Sequence, residues 1–447
     1  MGRRAASVSA PAPLAQLARR IRTRTARIGV IGLGYVGLPL AVEFAREGFR
    51  VTGIDLDSRR VTGVNGARSY IQDVPSADLR KLRAAKRLQA TSSFDPLREQ
   101  DAVIICVPTP LRKTREPDMS FIISATNEIA KRIRKGQLIV LESTTYPGTT
   151  EEIILPALEA RGLKVGRDFS LAFSPERIDP GNPTYQTRNI PKVVGGVTAR
   201  CTELASALYG AAVQRTVPVS SSKAAEMVKL LENTFRAVNI GLVNEMALIC
   251  DRLGINVWEV VDAAKTKPFG FMPFYPGPGI GGHCIPSDPV YLAWKVRVHG
   301  FEARFIELAT QINGFMPEYV VQKVARVLND RRKALKGARV LLLGLAYKKD
   351  VGDLRDSPAF DVARILEERG AVLSYHDPYV PSTELNGRKR SSAPLTASTL
   401  RHCDCAVVLT NHSNVDYALV ARHAPVIVDT RNQYAGVSQR STRIVKL

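Results

Sequence analysis

Arg27-Ile28-Gly29-Val30-Ile31-Gly32-Leu33-Gly34-Tyr35-Val36-Gly37 joins a short apolar run to a G-x-G-x-x-G turn, and a helical pattern follows from Leu38 to Arg46. The apolar run reads as a buried parallel strand. Gly32, Gly34 and Gly37 permit a tight turn, let the backbone approach a pyrophosphate and allow close packing of helix on strand. The helix N-terminus adds N–H donors and a positive dipole end. A second strand, Arg50 to Ile54, leads into Asp55. That is about 20 residues beyond the glycines, where a carboxylate accepts hydrogen bonds from an adenosine ribose. Such a carboxylate repels a 2′-phosphate, so the stretch predicts NAD rather than NADP. A glycine turn with no ligand is the plainer reading of the same pattern.

Outward from this turn the strand–helix alternation continues. Strand-like runs end at Val107 and Leu141, each leading into Pro, Thr or Ser. Alternating strands and helices predict a doubly wound parallel sheet, whose ligands gather at the carboxyl ends of the strands. From Ser222 to Leu253 no proline interrupts the chain, which predicts one long helix. A Pro/Gly-rich loop spans Pro268 to Pro289, and a further helical stretch covers about residues 303–332. Strand candidates then resume at Arg339–Leu343, Ala371–Tyr375, Ala406–Leu409 and Val426–Val428. The predicted fold is α/β, with two Rossmann-like doubly wound domains joined by a central helical domain. Its expected divisions are a basic flexible tail (1–25), a dinucleotide-binding domain (26–217), a helical domain (218–333) and a smaller α/β domain (334–447).

Composition narrows the classes. At 447 residues, with 45% apolar and 23% charged residues, the chain has the make-up of a globular protein of two or three domains. No stretch approaches the roughly 20 apolar residues that cross a bilayer, so no membrane partner is expected. The first 25 residues carry six arginines and no acid, but Ser and Pro break their apolar content, unlike a signal peptide. A cytoplasmic location is expected, with twin-arginine export as the alternative. Six cysteines show no disulfide framework, and Cys106 and Cys250 sit in apolar runs as core residues would. His402-Cys403-Asp404-Cys405 runs into a strand pattern and lacks a second ligand pair at zinc spacing, so no metal is expected. The net charge of +21 attracts polyanions. Its basic residues are scattered without aromatic interleaving, so charge alone decides nothing between nucleic acid and a dinucleotide with a sugar diphosphate; the motifs that follow are what leave no nucleic-acid partner expected.

Two further patterns carry chemistry. Lys229, Asn233 and Arg236 fall at i, i+4 and i+7 of the long helix and so share one face. The face is either a solvated stripe or a polar row along a cleft, where Lys229 would stabilise charge on a reacting oxygen. Pro276-Gly277-Pro278-Gly279-Ile280-Gly281-Gly282-His283-Cys284 is too rich in glycine to serve stability, and such density marks close approach to a ligand. A thiol there, with His283 beside it and Asp288 four residues on, is a candidate nucleophile, set against the buried inert fate of most cysteines.

Taken in order, these motifs closely resemble the UDP-glucose/GDP-mannose dehydrogenase family from about Arg27 to the C-terminus. The resemblance is carried by Gly32 to Ala41, Cys106-Val107-Pro108-Thr109-Pro110, Glu142-Ser143-Thr144-Thr145-Tyr146-Pro147-Gly148 and Ser174-Pro175-Glu176-Arg177. Lys229 to Asn233, the Cys284 loop, Tyr347-Lys348-Lys349-Asp350 and Asp353-Leu354-Arg355 complete it. Within the family, Arg115 to Phe121, Lys267 to Phe271 and Gly282 to Pro286 are similar to bacterial UDP-N-acetylglucosamine 6-dehydrogenases of surface-polysaccharide pathways. His283 and Ser287 stand where UDP-glucose dehydrogenases typically carry Ser and Lys.

The resemblance implies an NAD-dependent four-electron oxidation at C6 of a UDP-sugar, with Cys284 as covalent carrier. It implies oxyanion stabilisation by Lys229, positioning of the C6 oxygen by Asn233, and help with base and water chemistry from Asp288. Glu176 is the implied base for thioester hydrolysis, and Thr144 a water-holding partner. Arg177, Ile178, Arg236, Gly281, Tyr347, Lys348 and Arg355 are implied at the nucleotide sugar, in keeping with the fit of guanidinium forks to a diphosphate. Gly32, Gly34, Tyr35, Val36, Gly37, Asp55, Thr109 and Thr145 are implied along the dinucleotide. A homodimer or higher homo-oligomer built on the long helix is also implied. UDP-GalNAc, UDP-ManNAc and UDP-glucose remain as alternative substrates. A two-electron hydroxy-acid dehydrogenase or a basic NAD-sensing or nucleic-acid-binding module would use the same fold without needing Cys284.

Overall fold

The computed structural model describes residues 12–71, 73–112, 114, 116–178, 182, 184–282, 284–436 and 443–447. Two compact units divide inside the long helix Ser222–Leu253, one ending at Glu232 and the other running from Asn233 to Leu447.

The first unit is built on an eight-stranded sheet. Its strands are β1 (Arg27–Ile31), β2 (Arg50–Ile54), β3 (Leu88–Thr91), β4 (Ala102–Ile105), β5 (Leu138–Leu141), β6 (Ser170–Phe173), β7 (Lys192–Gly196) and β8 (Thr216–Pro218), in the order β3-β2-β1-β4-β5-β6-β7-β8. Pairings are parallel except between β6 and β7. Among the described residues no helix lies between those two strands, and an antiparallel pair needs none. Strands β4, β5 and β6 are buried at every position, as a sheet covered on both faces requires.

The expected flexible tail is corrected for Ala12–Arg22, which forms a helix with Leu14, Leu17 and Ile21 buried in the main core. Those three lie at i, i+3 and i+7, one apolar stripe on an otherwise basic helix. Arg20 donates to Asp101 at 2.7 Å, so part of the basic charge is answered locally. Residues 1–11 of that expected tail lie outside the described residues. Glu226, on the long helix, accepts hydrogen bonds from Gly148 N (2.6 Å), Thr150 N (2.9 Å) and Thr150 Oγ1 (2.7 Å). It thereby satisfies amides at the start of the short helical segment Thr150–Ile154.

The second unit begins with the remainder of the long helix and the helices Val257–Ala264, Asp288–Arg297 and Arg304–Asn329. A parallel sheet follows, ordered β10-β9-β13-β14-β15, from β9 (Arg339–Leu343), β10 (Val372–His376), β13 (Cys405–Val408), β14 (Ile427–Asp429) and β15 (Ile444–Lys446). The hairpin β11 (Ser382–Leu385) and β12 (Arg388–Ser391) stands apart from that sheet. Gly241 lets two helices meet closely: a Cβ there would lie 3.2 Å from Ala309 Cα. No described helix is long and apolar enough to cross a membrane.

Candidate active site

At the end of β1 the glycine turn has the geometry its sequence predicts. Gly32 adopts φ +92°, and a Cβ there would fall 2.4 Å from Cys106 O. One on Gly37 would fall 1.8 Å from Gly32 O. Gly34 is different: nothing but Arg60 Nη1, at 3.9 Å, comes within 4 Å of its missing Cβ. The first and third glycines are therefore required by packing, while the second leaves room for a ligand backbone. Asp55 is buried at the end of β2. Its Oδ2 accepts Leu33 N at 2.7 Å and Arg60 Nη1 at 3.1 Å, and its Oδ1 accepts Asp57 N at 2.9 Å. Open space at Gly34 with a carboxylate beside the turn fits a dinucleotide. Tyr35 is exposed and Val36 half-buried at the same turn. Thr109 and Thr145, both buried, follow β4 and β5, neighbouring strands on the same side of the sheet. Thr145 Oγ1 is hydrogen-bonded to Thr149 Oγ1 at 2.6 Å, and Thr144 is half-buried beside it.

Glu176 follows β6 and is held on both oxygens. Oε1 accepts Arg177 N (2.6 Å) and Ile178 N (2.7 Å), and Oε2 accepts Lys192 Nζ at 3.0 Å. Lys192 also pairs with Glu142, whose Oε2 accepts Tyr209 Oη at 2.8 Å. Burial pushes the Glu142 carboxyl up to about 7 against the pull of Lys192. Burial works the same way on Glu176, but the Lys192 ammonium and the surrounding donors hold it below its usual range. Arg177 is engaged within the protein, donating to Glu232 from Nε (3.2 Å) and Nη2 (2.5 Å) and to Pro191 O from Nη1 (2.7 Å). Lys229 is buried farther along the long helix.

In the second unit Cys284 stands out among the cysteines. All six are free thiols, and the other five are buried while Cys284 is partly exposed. Its carbonyl accepts Asp288 N at 2.8 Å and Ser287 N at 3.2 Å, so the loop folds directly into helix Asp288–Arg297. The buried Asp288 carboxylate accepts Asn233 Nδ2. The glycines before Cys284 allow a close approach of backbone to side chain. A Cβ on Gly281 would sit 2.7 Å from Tyr347 Cβ, and one on Gly282 would sit 2.9 Å from Tyr347 Cε2. Gly282 also has φ +89° and donates to Arg355 O at 3.1 Å. Cys284, Asp288 and Asn233 thus come together, with Gly281, Tyr347 and the Arg355 backbone beside the loop. Lys348 is half-buried next to Tyr347, whereas Arg236 is exposed on the long helix. The Arg355 guanidinium is paired with Asp353, at 2.6 Å from Nη2. His283 lies outside the described residues.

The sequence motifs assign no role to Lys192, Tyr209 or Glu142. A lysine inside the apolar strand Lys192-Val193-Val194 was the available signal, because a buried ammonium demands an anion. No local pattern marks Arg60, the partner of Asp55. Among the described residues no group of three or more His, Cys, Asp or Glu could hold a metal.

Residues 26–213 match the NAD binding domain of the UDP-glucose/GDP-mannose dehydrogenase family, residues 223–314 its central domain and residues 341–436 its UDP binding domain. The chain is 39% identical over 360 residues to the UDP-N-acetyl-D-glucosamine 6-dehydrogenase of Pseudomonas aeruginosa, covering 80% of this chain and 84% of that protein. It is 37% identical over 398 residues to the UDP-N-acetyl-D-mannosamine dehydrogenase of Yersinia pestis, covering 86% and 93%. The solved UDP-D-ManNAc dehydrogenase of Pyrococcus horikoshii has a TM-score of 0.85 at 32% identity, over 94% of this chain and 98% of that one.

Proposed function

The chain belongs to the UDP-glucose/GDP-mannose dehydrogenase family and is an NAD-dependent nucleotide-sugar dehydrogenase; from that premise we propose that it oxidises C6 of UDP-N-acetyl-D-glucosamine to the uronic acid through a thioester on Cys284. The observation that carries this reading is the one partly exposed cysteine, set in a glycine-rich loop whose carbonyl anchors Asp288.

NAD⁺, when bound, supplies the hydride acceptor for both oxidations, and Gly32, Gly34, Gly37 and Asp55 are the residues that would hold it. The C6 alcohol loses hydride and a proton to become an aldehyde. Cys284 Sγ adds to that carbon, giving a thiohemiacetal that still carries a transferable hydride. Loss of that hydride and of the hydroxyl proton leaves a thioester; water then adds, the C–S bond breaks and the carboxylate departs. A thiol suits both halves, being a strong nucleophile whose ester hydrolyses readily. Lys229 is assigned the developing oxyanion, Asn233 the C6 oxygen, Asp288 the base and water chemistry, Glu176 the base for hydrolysis and Thr144 the attacking water. Arg177, Ile178, Arg236, Gly281, Tyr347, Lys348 and Arg355 are assigned to the UDP-sugar.

The exposed stripe Leu231, Phe235, Leu242, Met246, Ile249 and Leu253 along the long helix is assigned to a second copy of the chain. Light scattering on a sizing column tests that homodimer. Substrate choice is tested by NADH release from UDP-N-acetylglucosamine, UDP-N-acetylgalactosamine, UDP-N-acetylmannosamine and UDP-glucose, with product mass determined. Fastest turnover of UDP-N-acetylglucosamine supports the proposal. UDP-N-acetylmannosamine is the competing outcome, since relatives of that name are nearly as similar.

A further inference from the structure

We infer that Lys192, Glu142 and Tyr209 are positioning residues forming a proton-holding relay behind Glu176, which draws away the proton taken from the hydrolytic water. The inference rests on the assignment of Glu176 as the base of thioester hydrolysis. Glu176 alone is poorly arranged for that work. Two backbone amides and one ammonium occupy its carboxylate, and such donors favour the charged form over the protonated one. A proton accepted there needs somewhere to go, and Lys192 Nζ bridges Glu176 to Glu142.

The transfer balances. The water O–H bond breaks and its proton goes to the Glu176 carboxylate, while the water oxygen bonds the thioester carbon and Cys284 leaves as thiolate. Lys192 gives one of its protons to Glu142 and takes the proton held by Glu176. The net movement is from water to Glu142, with Lys192 again an ammonium and Glu176 again a carboxylate. Two buried carboxylates sharing one cation carry an excess negative charge, which a proton on Glu142 removes. Among the described residues, several elements bring charged or titratable groups to the cluster. Lys192 comes from β7, Glu176 from the end of β6, Tyr209 from helix Ala199–Gly210 and Cys106 from the end of β4, with the Arg177–Glu232 pair adjoining. Burial places Glu142 at about 7, in range to exchange a proton near neutrality.

The test uses the full-length enzyme, NAD⁺ and the UDP-sugar it oxidises fastest among the four named above. Rates are followed from pH 5.5 to 9, and acid-quenched protein is weighed for the adduct on Cys284. Glu142→Gln should keep the first release of NADH, accumulate the adduct and lower kcat by about tenfold or more. It should also lose the rise in rate near pH 7. Tyr209→Phe removes a donor to the Glu142 carboxylate, so its rise should move to higher pH. That shift decides the matter if Glu142→Gln does not fold. A wild-type pH profile in both variants, or in Tyr209→Phe alone if the other is unfolded, overturns the relay. Glu176→Gln separates the two readings. If it stalls at the adduct while Glu142→Gln behaves as wild type, the base stands and the relay falls. If it hydrolyses normally, the base assignment falls and takes the relay with it.

Discussion

Asn244 Oδ1 accepts the amide of Gly277 at 3.0 Å, while Asn244 Nδ2 donates to Asn313 Oδ1 at 2.8 Å. Asn313 in turn donates to Ala237 O at 3.0 Å. Two buried carboxamides therefore tie the start of the Cys284 loop to two helices. Asn244→Ala strands the Gly277 amide and one oxygen of Asn313, a loss of about 1–3 kcal/mol. The melting temperature should fall, and kcat/KM should fall with it as the loop loses its anchor. Unchanged melting and kinetics would show that the anchor is dispensable.

Gly282 combines φ +89° with a missing Cβ that would stand 2.9 Å from the Tyr347 ring. Gly282→Ala should introduce strain of about 1–2 kcal/mol, and the loop must shift to relieve it. Turnover should drop severalfold while NAD⁺ affinity, measured by calorimetry, stays as in wild type. Equal loss of both would place the defect in general folding instead.

Asp55 faces Arg60 at 3.1 Å beside the glycine turn. Removing the carboxylate in Asp55→Ala deletes an anion that repels a 2′-phosphate and leaves a guanidinium that attracts one. The ratio of kcat/KM for NADP⁺ over NAD⁺ should rise in the variant. A constant ratio would mean that Asp55 only shapes the turn.

Glu226 is buried, and burial raises its carboxyl from 4.5 to about 7 despite the donors around it. A carboxyl raised on folding binds more protons in the folded state between those values. Its stabilising contribution is thus complete below pH 4.5 and lost as pH rises through 7. Full expression is on the order of 3 kcal/mol. Denaturant midpoints at pH 5 and pH 7.5 should show wild type losing ground to Glu226→Gln as pH rises. Parallel midpoints would contradict the titration.

How much of this was legible beforehand depended on range. Strands such as Arg27–Ile31 and Arg339–Leu343 advertise themselves as local apolar runs, and the Ser222–Leu253 helix as an unbroken periodic stretch. Gly32 and Gly37 were readable because their constraint is local backbone geometry. By contrast, Leu14, Leu17 and Ile21 were obscured by the arginines around them, whose long stems reach solvent while the stripe beneath is buried. The antiparallel β6–β7 pair and the Glu142–Lys192–Glu176 cluster join residues distant in the chain. No periodicity records such partnerships. Cys284 was visible as a reactive candidate from its glycines, yet its link through Asp288 to Asn233 needed coordinates.

The central claim is covalent carriage of the sugar by Cys284, and counting NADH per UDP-sugar consumed tests it most directly. With product mass measured in parallel, the account predicts two NADH and a uronic acid from the wild-type enzyme, and little complete turnover after Cys284→Ser. One NADH per sugar, or an unchanged rate in that variant, would contradict it.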